Sequence, residues 1–108
     1  MAQGSALSLR QGDSLAFTRA ANALEQAAKN GDRTAREQAL KRNQLLWTQV
    51  QRLLVPDSHP MPAKLRADML SLSLFVDRQT VKALVSGEAE DMLALVDIDR
   101  QVAAGLLE

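Results

Sequence analysis

DSLAFTRAANALEQAAKNGDRTAREQALKRNQLLWTQVQRLL, residues 13–54, reads as two amphipathic helices separated by one break. Asp13 suits an N-cap, because its carboxylate can accept a hydrogen bond from a free N–H of the first turn. Leu15, Phe17, Ala20, Ala21, Leu24, Ala27 and Ala28 recur at helical spacing until Asn30 and Gly31 stop the pattern. Asp32 can cap a second helix at once, so the connection is only two or three residues long and predicts an antiparallel helical hairpin. In that second helix Ala35, Ala39, Leu46, Val50 and Leu53 form one apolar stripe, with Leu40, Trp47 and Leu54 beside it. Two adjoining stripes predict a helix with two neighbours.

Outward from this hairpin, VPDSHPMP at residues 55–62 holds all three prolines and the single histidine, and it excludes a regular helix. Pro62 suits the first turn of a third helix, because its missing N–H would be unpaired there in any case. That helix is expected to run to about Val85, a rod of about 36 Å. Leu65, Met69, Leu72 and Val76 form one of its stripes, Leu70, Leu74, Val81 and Leu84 another, and Phe75 lies near the seam. Ser86 and Gly87 end it. Glu88, Glu90 and Asp91 then favour the positive end of a fourth helix, whose buried stripe is expected to be Met92, Leu95, Val96, Val102, Ala103 and Leu106, with Gly105 as its stop. No internal repeat, heptad series or low-complexity tract is evident. Residues 1–12 read as a flexible arm. The expectation is an all-α fold: a compact bundle of four helices in one domain, residues 13–108, behind a flexible N-terminal arm.

Composition narrows the chemistry. In 108 residues there is no cysteine, one histidine and no glycine-rich loop. The formal net charge is zero, which argues against bulk nucleic acid or an anionic membrane as the main partner. Residues 1–54 nonetheless carry eight basic residues (Arg10, Arg19, Lys29, Arg33, Arg36, Lys41, Arg42, Arg52) against four acidic ones (Asp13, Glu25, Asp32, Glu37), a net of +4 that leaves −4 for residues 55–108. No apolar run is long enough to span a bilayer, and the first residues lack the pattern of a signal peptide, so a cytoplasmic location is expected.

His59 can supply only one ligand of the three or four a metal needs, and no zinc or di-metal motif accompanies it; no metal or other cofactor is expected. Asp97 and Asp99 lie about 200° apart on a helix and cannot act as one acid–base pair. Enzymatic activity is not expected. Asp99 and Arg100 read either as members of a salt bridge to another helix, with Arg78 and Lys82 as candidate partners, or as a polar spot on a partner-binding groove. Trp47 reads as a core anchor, with an interface hot spot as the alternative.

Four strings together resemble the FlaF family of flagellar biosynthesis regulators of alphaproteobacteria. Asn43, Leu46 and Trp47 match its Asn and Leu-Trp pattern; Met61, Pro62, Leu65 and Arg66 match the start of its next helix. Leu72, Ser73, Leu74, Phe75 and Val76, with Thr80 beyond, echo its Leu-Gly-Leu-Phe-Val segment, and Ile98, Asp99, Arg100, Val102, Ala103, Gly105 and Leu106 its Ile-Asn-Arg ending. Ser73 stands for the usual Gly and Asp99 for the usual Asn. The resemblance implies a cytoplasmic protein that binds flagellin as an export chaperone and couples its synthesis to secretion, alongside an FlbT-like partner. Asn43, Trp47, Arg66, Phe75, Asp99 and Arg100 are then the partner-binding candidates. The alternative is a post-transcriptional regulator that contacts flagellin mRNA, directly through Arg33, Arg36, Lys41, Arg42 and Arg52 or by way of the FlbT-like partner.

Overall fold

The computed structural model describes residues 13–54 and 62–107. Four helices account for nearly all of them: α1 (Asp13–Asn30), α2 (Arg33–Leu54), α3 (Ala63–Ser86) and α4 (Ala89–Leu107). The expected N-terminal arm, the loop with His59, the capping side chain of Asp13 and the packing of Leu106 lie outside what is described.

The helices form a ring, α1 against α2, α2 against α3, α3 against α4, and α4 back against α1, with the most extensive contact between α1 and α4. The reason lies in α1. Its buried face, Phe17, Ala21, Leu24, Ala27 and Ala28, is largely alanine, and small side chains let a neighbouring helix approach closely. Facing it, α4 buries Met92, Leu95, Val96, Val102 and Ala103, five of the six residues expected there.

Local signals set the helix ends. Asp32 accepts a hydrogen bond from the Ala35 N–H at 2.8 Å, the expected cap of α2. Pro62 sits one residue before α3, and its carbonyl receives the first helical bond from the Arg66 N–H at 2.9 Å. Gly87 closes α3 in the left-handed conformation, φ 69°, donating its N–H to the Ala83 carbonyl. Gly105 departs from expectation: α4 runs through it to Leu107, so it does not stop the helix.

Two stripes also depart from the reading above. In α2 the buried set is Ala39, Leu40, Asn43, Trp47, Val50 and Leu54, whereas Leu53 is exposed. In α3 the buried set is Met69, Ser73, Val76, Thr80 and Ala83, whereas Leu74 and Val81 face outward. Hydroxyl groups are tolerated inside because each finds an acceptor: Ser73 Oγ donates to the Leu70 carbonyl at 2.6 Å and Thr80 Oγ1 to the Val76 carbonyl at 2.7 Å. Gln51 Nε2 on α2 adds bonds to Ser73 Oγ at 2.9 Å and to Asp77 Oδ2 at 3.2 Å. No helix among the described residues is long and apolar enough to cross a membrane.

Candidate functional site: a buried polar layer beside an apolar groove

Trp47 and Asp99, 52 positions apart, meet at the centre of the bundle. The indole Nε1–H donates to Asp99 Oδ1 at 2.9 Å, and both side chains are fully buried. Phe17 of α1 packs edge-on against the indole, ring centroids 5.2 Å apart at 69°. The core-anchor reading of Trp47 therefore holds. One turn earlier on the same face of α2 lies Asn43, also fully buried. Neither its Nδ2 nor its Oδ1 has a hydrogen-bond partner among the described residues, and Asp99 Oδ2 has none either. Buried polar atoms of this kind are uncommon, and each costs about 1–3 kcal/mol if left unpaired.

Burial decides the electrostatics of Asp99. Removal from water pushes its carboxyl up to about 7, against the opposing pull of the Trp47 hydrogen bond and the Arg100 charge. Arg100 points away from this layer, to α1, where its guanidinium reaches Glu25 and Asn22 at 3.2 Å. The expected inter-helix salt bridge thus exists with a different partner: Lys82 reaches Asp91 at 3.7 Å instead. Half-exposed as it is, the Arg100–Glu25 pair contributes at most about 1 kcal/mol.

Below this layer, toward the end of the bundle where α1 begins and α4 finishes, Ser14 donates to the Ala103 carbonyl at 2.8 Å. There the core opens. A groove of about 250 Å³ lies between α3 and α4, lined by Leu65, Asp68, Met69, Leu72, Gln101, Val102 and Gly105. Met69 and Val102 are core residues, so the groove floor is the core itself. A Cβ added at Gly105 would meet nothing within 4 Å, so this glycine leaves space in the groove wall. Such a volume takes one or two apolar side chains of a partner, not a whole helix.

The candidates from sequence are thus dispersed. Asn43, Trp47 and Asp99 are interior; Phe75 is exposed on the outside of α3, Arg66 is half-buried near its start, and Arg100 is tied to α1. Leu65, Met69, Val102 and Gly105, read from the sequence as packing, punctuation or members of the family strings and not as partner-binding candidates, line the groove. Gly105 carried the one usable signal, a glycine inside an otherwise regular helix. Of the basic set, Arg36 is committed to structure. Its guanidinium bonds the carbonyls of Ala27 (3.2 Å), Ala28 (2.9 Å) and Gly87 (2.8 Å), joining the ends of α1 and α3. Arg33 lies against Gly87, while Lys41 and Arg42 are exposed. Arg42 borders a shallow alanine-lined depression of about 390 Å³ between α1 and α2.

No curated protein and no solved structure matches the chain. The family described as flagellar protein FlaF does, over residues 1–106, nearly the whole length and well beyond the strings that first suggested it. A chain with four helices among its described residues and that match is a flagellar protein, and it belongs to the FlaF family.

Proposed function

We propose that this protein acts without catalysis, as a cytoplasmic flagellin-binding chaperone that couples flagellin synthesis to export. The observation that carries this reading is the apolar groove between α3 and α4, with Leu65, Met69, Leu72 and Val102 in its walls and floor. Flagellin's polymerising ends are amphipathic and unfolded before assembly, so their apolar side chains are what such a groove accepts. Occupying those side chains keeps the ends from pairing with one another. Export then frees the chaperone, and that release is available as a signal to translation, through an FlbT-like partner.

Messenger RNA as the direct ligand has weaker support. Its proposed contact surface was Arg33, Arg36, Lys41, Arg42 and Arg52, and Arg36 is held by three carbonyl oxygens. One of the five cations is thereby committed to the fold, which lowers the number of phosphates this surface can neutralise.

The test is binding of the purified chain to flagellin and to flagellin lacking its terminal helices. Gly105→Leu fills the groove and Leu65→Lys charges its rim; each is expected to weaken binding on the order of tenfold with the fold intact, as loss of a central anchor does. Equal binding by both variants and the parent would refute the groove. Binding of RNA that falls steeply with salt, in the absence of flagellin binding, would favour the second reading.

A further inference from the structure

The outward face of α3 reverses the usual order of a bundle helix. Inside it buries Ser73 and Thr80; outside it exposes Leu74 (59%), Phe75 (42%), Val81 (55%) and Val85 (75%). Ala67, Ser71, Leu74, Arg78, Val81 and Val85 follow one another at alternating spacings of four and three, and all six are exposed. That alternation is the spacing of a two-helix coiled-coil seam, with Leu74, Val81 and Val85 as its large apolar members. None of the other three helices covers it.

We infer that this seam pairs with the same seam of a second copy of the chain, the two α3 helices running antiparallel about a two-fold axis near Phe75. Size and charge both favour that occupant. The first half of the seam is small (Ala67, Ser71) and the second half is large (Val81, Val85), so only the antiparallel arrangement sets small against large at both ends. A parallel arrangement would set Arg78 against Arg78. Beside the seam, Asp68, Phe75 and Lys82 recur at intervals of seven and occupy one flank. With Phe75 at the axis, Asp68 faces Lys82 of the other copy, and the pair occurs twice because a two-fold interface is isologous. In the single chain Asp68 pairs with the exposed Lys64 at 3.1 Å, a partner it can exchange at little cost, and Lys82 makes a longer contact of 3.7 Å to the partly buried Asp91. One helix pair is small for a stable interface, so the association is a micromolar one. It leaves the α3–α4 groove of each copy open, with Asp68 at its edge.

Sedimentation equilibrium of the full chain across the micromolar range tests this, with helix content followed by circular dichroism. The expected result is a monomer–dimer equilibrium that Val81→Asp abolishes while helix content is kept. Asp68→Lys or Lys82→Asp alone should weaken it on the order of tenfold, and the two together should restore it. The chain has no cysteine, so Phe75→Cys provides a clean probe: a short bis-maleimide should join two copies through it and should not do so through Leu93→Cys. A chain that stays monomeric throughout overturns the inference. So does a dimer that is indifferent to Val81→Asp, or one in which the double charge exchange fails to recover what each single change loses. Should Val81→Asp unfold the chain, the charge exchange decides.

Discussion

At the end of the bundle where α1 turns into α2 and α3 into α4, glycine answers to crowding; at the opposite end it answers to space. A Cβ at Gly31 would fall 2.7 Å from the Ala27 carbonyl oxygen, and one at Gly87 would lie 3.1 Å from the Arg33 guanidinium on a backbone that already has φ 69°. A Cβ at Gly105 would touch nothing. The first end is also saturated with hydrogen bonds, since Arg36 alone serves three carbonyls. From the middle of the bundle toward the second end, Asn43 and Asp99 have buried polar atoms without partners among the described residues, and the core opens into a groove. One end holds the helices together, and the other carries the groove on which the proposed binding of flagellin rests.

The sharpest way to test the weaker half is pH. Asp99 has an unfolded value of 3.8 and a folded one of about 7, so between those values the folded chain holds a proton that the unfolded chain has lost. Stability contributed by the protonated carboxyl is complete below pH 4 and is lost as pH rises to about 7, at most about 4 kcal/mol in all. Asp99→Asn keeps an acceptor for Trp47 and has no charge to bury. Urea denaturation is expected to show the variant more stable than the parent at pH 8, with the difference shrinking toward pH 4. An unchanged pH profile would mean that Asp99 is solvated in the native state.

Next in size is the saturated end. Arg36→Ala removes a guanidinium from three carbonyls at once and should cost about 2–4 kcal/mol, since partly buried acceptors lose charged donors. Arg42→Ala, at an exposed site, should stay within about 0.5 kcal/mol. Thermal unfolding of the two variants compares them directly. Similar losses would show that Arg36 acts as ordinary surface charge, and the contrast between the ends would fail.

Much of this fold was legible before any coordinates. Asn30-Gly31-Asp32, the proline cluster and Ser86-Gly87 punctuate the chain at chemically unambiguous places, and four helices follow from them. Faces were harder. Leu53, Leu74 and Val81 were assigned to stripes because they are apolar, yet Asn43, Ser73 and Thr80 occupy the interior and those residues do not. Hydropathy cannot anticipate a serine or threonine that satisfies itself on its own helix, nor an Asp held by a Trp from a helix 52 positions away. The seam on α3 escaped notice for the same reason, because Ser71 and Arg78 interrupt its apolar run. Arg36 looked like a nucleic-acid contact because spacing along a sequence does not reveal which carbonyls the fold brings near.

The smallest expected effect is also the one that separates stability from binding. Gly105 sits within α4, where glycine is worse than alanine by about 0.5–1 kcal/mol because it loses more backbone freedom on folding. No neighbour obstructs a methyl group there, so Gly105→Ala should raise stability by about that amount. Gly87→Ala should lower it by about 1–2 kcal/mol, the cost of a Cβ in the left-handed region. If Gly105 were simply a helix defect, the alanine variant would be better folded and otherwise unchanged. If its bare backbone is what admits a partner's side chain between Leu65 and Val102, the same variant gains stability and loses affinity for flagellin. Calorimetry and a binding titration on that one protein distinguish the two, because only a groove in use makes a stabilising substitution costly to function.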